Sequence, residues 1–395
     1  MRHVNVRIAL AVLVLVTASS AQSWIPQRSN TTQNLEAVWF VEPNRGFALG
    51  ANGTALKTED GGNTWTALSL GTNDLYDIAF EGPINGLVVG DDGTAYKSPD
   101  GGNTWDEAET GVTGNLRGCA CGMGGRMYAA GDDGVIIRSM DGGNTWEVAD
   151  SGSTRFEGMA AMMEMNAWAV GRGGVIRATM DGGMDWQNQA SGTTNDLKAI
   201  QFFSPTEGYV VGQSNTIIYT ANGGQVWENR NTGANGSFEG VHFPVPNEGW
   251  VVGDAGAIFH TIDMGSTWSR ESSGVTVGLN DVYFFDPTNG WAVGDGGTIL
   301  KYEVGGIAER RSAPVARLEA YPNPMTRSGV LRVGGVGPVR ASVVSSDGRV
   351  VRELGTGTAF RWDARDGAGR RVAPGVYYYV ASGTGRWTAP VVVGR

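Results

Sequence analysis

Histidine and cysteine are scarce in this chain of 395 residues, with three of the first and two of the second. Cys119 and Cys121 stand two apart and cannot build a disulfide framework. They read as small buried hydrophobes, with a local Cys119–Cys121 bridge as the alternative. His3 lies in the N-terminal leader, and His242 and His260 are too few and too separated for a zinc motif. No metal or cofactor is expected. Charged residues make up only 18% of the chain.

Long apolar runs are also missing after the first residues. Arg2 and Arg7, the apolar stretch from Ile8 to Val16, and small residues at Ser19 and Ala21 read as a secretory signal peptide over 1–21. The alternative is a membrane anchor, but the apolar stretch is well short of the ~20 residues that span a bilayer. The mature chain is therefore expected to be exported, with no membrane span. Residues 22–304 hold 14 basic against 34 acidic side chains, whereas residues 305–395 hold 14 arginines against six acids. The asymmetry argues for two domains. The acidic part excludes nucleic acid, whose binding rests on neutralised phosphates.

Abundance is as informative. There are 62 glycines and 13 tryptophans. Trp65, Trp105, Trp146, Trp186, Trp227 and Trp268 are spaced by 40, 41, 40, 41 and 41 residues. A period of this length marks an array or propeller. Copies begin at Leu35, Leu75, Leu116, Phe156, Leu197, Phe238 and Leu279. In the second copy, Leu75 to Phe80, Leu87 to Gly90, Thr94 to Lys97 and Thr104-Trp105 read as four short strands, the measure of one blade. The seventh copy lacks its tryptophan, but Trp24 precedes Trp65 by one period. The predicted fold is all-β: a seven-bladed β-propeller over 22–304, closed by an N-terminal strand at Trp24. Closure removes an exposed sheet edge.

Each tryptophan ends a phrase such as Asp60-Gly61-Gly62-Asn63-Thr64-Trp65. Asp60, Asp100, Asp141, Asp181 and Asp263, with Asn222 in the fifth copy, supply acceptor oxygens to a glycine turn. The tryptophans fill the gaps between neighbouring sheets. Calcium ligation is the functional alternative, but one carboxylate per turn falls short of the six to eight oxygens calcium takes. These phrases resemble the Asp-box, or BNR, repeat, which sialidases, xyloglucanases and sortilin-like receptors share. The strand Gly290-Trp291-Ala292-Val293-Gly294 and the turn Asp295-Gly296-Gly297 resemble the photosystem II assembly factor type of BNR propeller. The resemblance implies a non-enzymatic scaffold role.

After a predicted linker at 305–314, residues 315–395 carry short strands: 318–321, 331–333, 339–344, 350–354, 359–362 and 376–380. A small β-sandwich is expected. Tyr321-Pro322-Asn323-Pro324, Asp347-Gly348, Trp362-Asp363, Asp366-Gly367 and Pro374-Gly375-Val376-Tyr377 resemble the FlgD-like Ig domain and the type A sorting domain of type IX secretion. That resemblance implies secretion machinery as a partner and a position outside the bacterial outer membrane.

A propeller binds at one mouth. The residue after each copy's first position rings that mouth: Glu36, Tyr76, Arg117, Glu157, Lys198, Glu239 and Asn280. The second-to-third turns add Asp91, Asp132, Arg172, Gln213, Asp254 and Asp295. Unlike the framework, these residues do not repeat, as a partner-specific surface requires; a solvated polar rim is the alternative. The expected function is an exported protein-binding scaffold, with a glycan-binding module or a glycosidase as the other readings. Sialidases open on Arg-Ile-Pro, but here Trp24 precedes Ile25-Pro26. Tyr76 is the one aromatic in the ring, which weighs against glycan binding.

Overall fold

The computed structural model describes residues 23–304 and, beyond them, 317–321, 325, 328–334, 338–345, 349–382 and 386–394. The expected leader at 1–21 and linker at 305–314 lie outside these residues. The chain divides into two compact units, Met1–Gly305 and Gly306–Arg395. Among the described residues there is no α-helix, and so none long and apolar enough to cross a membrane.

The first unit contains seven four-stranded antiparallel sheets. Six are built from consecutive strands; the first is Leu35–Phe40, Gly46–Gly50, Thr54–Thr58 and Thr66–Ser69. The seventh takes Leu279–Asp286, Asn289–Gly294 and Thr298–Glu303, and its outer strand is Ser23–Gln27 from the other end of the unit. First strands touch their neighbours around a complete cycle, with Leu35–Phe40 meeting both Leu75–Glu81 and Leu279–Asp286.

The tryptophans fill the space between sheets. Trp105 packs edge-on against Phe47 and Phe80, Trp186 against Tyr128, and Trp227 against Phe202. Deeper in the same seams, the second strand of one sheet stacks on the first strand of the next: Trp168 on Phe202 at 3.5 Å, Trp250 on Phe284 at 3.7 Å, Trp291 on Phe40 at 3.4 Å. Such aromatic contacts add to the area they bury. Trp24 occupies the seam between the sixth and seventh sheets, against Trp250, Phe284 and Tyr302. Its indole N–H donates to Glu271 at 2.8 Å.

In the Asp boxes the aspartate closes the turn. Asp141 accepts from the Thr145 N–H at 2.9 Å and the Thr145 hydroxyl at 2.7 Å. Behind it stands a hydroxyl that the sequence reading passed over. Ser139, two residues earlier, donates to Asp141 and accepts from the Gly143 N–H at 2.9 Å. Thr58, Ser98, Thr179, Thr220 and Thr261 repeat this buried position. Asp141 itself is exposed.

The second unit packs two antiparallel sheets around Leu331, Val343, Trp362, Tyr379 and Val391. A strand at Arg386–Val393 went unpredicted because Pro390 interrupts its pattern. It lies at a sheet edge, where a missing N–H is tolerated.

Two outcomes are expected. Trp24→Ala lowers unfolding free energy by about 3–5 kcal/mol, read from the urea midpoint; an unchanged midpoint contradicts the wedge. Thr145's backbone and side-chain bonds, then Ser139's, hold the Asp141 carboxyl down at about 2 against 3.8. A depressed carboxyl stabilises the fold above its unfolded value and loses that effect as pH falls through the folded one. Asp141→Ala therefore lowers the melting temperature at pH 7, and the gap to wild type closes by about pH 2.

Candidate functional site

Every first strand carries a β-bulge at its beginning, where the register slips between Leu35 and Ala37, Leu75 and Asp77, and their equivalents in the other five sheets. A bulge sets two residues against one and re-aims the side chains after it. In every sheet the residue after the start and the one three further on line the same central cavity, of about 280 Å³, and in four sheets the residue following the first of these, Asp77, Gly158, Ala199 or Asp281, lines it too.

The outer layer is the ring Glu36, Tyr76, Arg117, Glu157, Lys198, Glu239 and Asn280, all on the cavity wall. Ring residues pair with the second-to-third turn of their own sheet. Tyr76 donates to Asp91 at 2.5 Å, Arg117 to Asp132 at 2.9 Å, and Arg172 lies 3.6 Å from Glu157. These turns need a left-handed glycine: Gly93 has φ +72, and a Cβ there would stand 2.0 Å from the Val112 carbonyl. Lys198 instead reaches Glu239 at 3.5 Å, and Asn280 donates to the Leu35 carbonyl. Arg117 also lies over the Tyr76 ring at 4.6 Å. Burial raises the Glu36 and Glu239 carboxyls above their ordinary range.

Arg155 joins this layer without having been predicted. It donates twice to Glu157 at 2.9 Å and lies 3.6 Å from Asp132. The signal for it was present. Its equivalents Asn34, Asp74, Asn115 and Asp196 each accept an N–H from the preceding sheet's turn. An arginine in that place abandons the clasp and turns its charge to the mouth. Cations gather on sheets three to five as Arg117, Arg155, Arg172 and Lys198, while Glu36, Asp74, Asp91 and Asp295 stand on sheets seven, one and two.

The inner layers were not legible as a site. Trp39, Tyr283 and His242 form a continuous aromatic wall, with Tyr283 at 4.9 Å from Trp39 and 4.6 Å from His242. Across the cavity the equivalent positions are Ala79, Ala120 and Ala160. Tyr76 is alone among aromatics in its ring, and a second aromatic group lies deeper. His242 accepts from the Phe284 N–H through Nδ1 at 3.2 Å, so its proton resides on Nε2. Burial holds it neutral, with its pKa down at about 3.

Asp77 and Asp281 flank Trp39 and bridge sheets. Asp77 accepts from the Cys119 N–H at 2.7 Å, and Asp281 from the Val38 N–H at 2.9 Å. Burial pushes their carboxyls up to about 7 and about 8, partly offset by those backbone bonds. Cys119 and Cys121 are free thiols, raised by burial. Among the described residues, no group of three or more His, Cys, Asp or Glu is arranged to hold a metal ion.

Four-stranded sheets in a ring around a side-chain-lined channel define a β-propeller. A family model described as photosynthesis system II assembly factor YCF48 matches residues 64–194, 185–275 and 241–303. The chain belongs to that family. No curated protein sequence matches it significantly. Among solved structures it is similar to YCF48 bound to D1 peptide, with 23% identity and TM-score 0.60, covering 71% of this chain and 96% of that one. It is similar to YCF48 from Cyanidioschyzon merolae, with 20% identity and TM-score 0.61, covering 71% and 99%. The Niastella koreensis GH74 enzyme aligns at 12% identity and TM-score 0.60, covering 94% of this chain and 75% of that one. At these identities the structures speak for the fold alone.

The buried carboxylates set a pH dependence. A carboxyl whose folded pKa is raised binds more protons in the native state, so stability falls as pH rises from about 3.8 to the folded value, then levels. Each group contributes a slope of at most about 1.4 kcal/mol per pH unit. Wild type is expected to lose stability from about pH 4 to about pH 8. The Asp77→Asn, Asp281→Asn double variant flattens that slope in urea titrations; an equally steep slope contradicts the assignment.

Proposed function

We propose that this protein is an exported, non-catalytic scaffold: a seven-bladed propeller that holds a segment of a protein partner at its channel mouth. The polarised mouth is the observation that carries this reading. On one side four cations offset the acids they pair with, Asp132, Glu157 and Glu239, and on the other Glu36, Asp74, Asp91 and Asp295 form an acidic arc, a difference that favours one orientation of an extended, dipolar segment. The cavity beneath, at about 280 Å³, has room for a side chain or a chain end rather than a folded body. Membership in an assembly-factor family supports the same reading, as does a relative captured with a bound peptide.

Three finer readings accompany it. The outer strand Ser23–Gln27 is taken to close the ring of blades, the residues before it to be a cleaved leader, and the second unit to be a FlgD-like Ig, sorting-type domain. Such a domain engages secretion machinery and places the propeller at the cell surface. A glycosidase is the second reading, because Glu157 and Glu239 share one mouth and the GH74 enzyme shares the fold. Glu157 is clamped by Arg155, however, and Lys198 lies 3.5 Å from Glu239, so a cation of the wall already engages each carboxylate.

Two experiments check these readings. Peptide display against the full chain should enrich segments with an acidic end. The Arg172→Glu, Lys198→Glu variant should invert that preference, with association to wild-type ligands slowed about tenfold at low salt. An unchanged consensus moves the site away from the mouth, and turnover on a glycan panel contradicts the scaffold. Truncation after Val304 should leave a folded propeller that fails to reach the cell surface; normal surface arrival leaves the second unit without a sorting role.

A further inference from the structure

The end of the propeller opposite the mouth carries the first-to-second and third-to-fourth turns. On the second, fifth and sixth sheets these turns expose a single large apolar side chain each, Ile84, Val226 and Ile262, whereas on the third and fourth they are rich in methionine. Met123, Met140, Met163, Met165, Met180 and Met184 are each 42–71% exposed. They are contiguous. The Met123 N–H donates to the Met163 carbonyl at 2.8 Å, and the Gly182 N–H, between Met180 and Met184, donates to the Met165 carbonyl at 2.9 Å. Gly142, two residues after Met140, donates in the same way to Gly125. Ile84, at the position equivalent to Met165 on the second sheet, extends the apolar surface.

Nothing in the framework calls for these side chains. Asn44, Thr206 and Asn247 occupy the place of Met165, and their carbonyls accept the same turn bond. Asn63, Asn103 and Asn144 occupy the place of Met184. Met163 has φ +59 where the second sheet has Gly82 at φ +58. A methionine there strains the backbone that glycine would relax, so the side chain is retained against local preference. Unbranched thioether side chains adapt to varied apolar partners and recur on promiscuous protein-binding surfaces.

Charge names the partner. The exposed ions among these methionines are Asp141, Glu147, Glu164 and Asp185. Arg138 pairs with Glu147 at 2.7 Å and also reaches the Gly182 carbonyl, Arg126 pairs with Glu164 at 3.8 Å, and Lys97 bonds Asn144, so Asp141 and Asp185 are the exposed acids left without an arginine. We propose that this methionine surface is a second binding face, which takes a cationic amphipathic helix of a partner protein. It would let the scaffold hold two clients, one at each end of the channel. The negative rim favours such a helix over an anionic bilayer.

The test uses the full chain and a synthetic leucine/lysine amphipathic helix about five turns long. Binding is expected, with about tenfold weaker affinity for the variant Met163→Ser, Met165→Ser, Met180→Ser, Met184→Ser, whose melting temperature stays unchanged because the residues are exposed. In wild type, the bound helix should slow peroxide oxidation of those four methionines, a readout that needs no variant. The proposal is overturned if the variant binds equally well, if a leucine/glutamate helix binds as tightly, or if the helix protects none of the four. Capture by phosphatidylcholine vesicles through this face overturns it in favour of a membrane surface.

Discussion

The packing of aromatic rings between neighbouring sheets is the constraint on which everything else depends. A four-stranded sheet with two apolar faces cannot stand alone in water. Each seam here has a tryptophan at its rim, and five of the seven have a stacked pair of rings nearer the axis, while Leu87 with Cys119 and Tyr128 with Met159 fill the other two. Phe40 on Trp291 and Trp24 on Tyr302 continue the pattern between the two ends of the unit. Because each sheet is wedged on both sides, the first strands are held close around the axis. Their bulges then aim three successive layers of side chains into one narrow channel.

That geometry separates framework from function in a simple way. Positions that fill seams repeat: Leu35 and its equivalents, the hydroxyl at Thr58 and its equivalents, the Asp-box turns. Positions that face the channel or the far rim do not repeat, since nothing in the packing dictates them. Arg155 in place of an asparagine or aspartate, and Met165 in place of a polar turn residue, are departures of this second kind. Both sit where the fold tolerates a change.

The tryptophan period and the glycine turns were legible in the sequence because they arise from local, repeated demands. The outer ring was also legible, since one residue per copy follows a recognisable apolar start. The inner layers were not. Strict alternation places Asp77 and Trp39 on no shared surface with Glu36, and only the bulge brings them together. Arg155 was hidden because its position looks like a turn residue until its equivalents are seen clasping a neighbouring sheet. In the second unit, Pro390 concealed an edge strand whose position makes a proline harmless.

The seam arrangement rests most heavily on the pairing of Ser23–Gln27 with Thr298–Glu303, which among the described residues of the first unit is the one sheet joined from its two ends. Native-state amide hydrogen exchange measures it directly. If that pairing completes the ring, the amides of Thr298–Glu303 exchange as slowly as those of the equivalent interior strand Ala257–Thr261. Exchange at Thr298–Glu303 as fast as at an unpaired edge, with Ala257–Thr261 still protected, would contradict it.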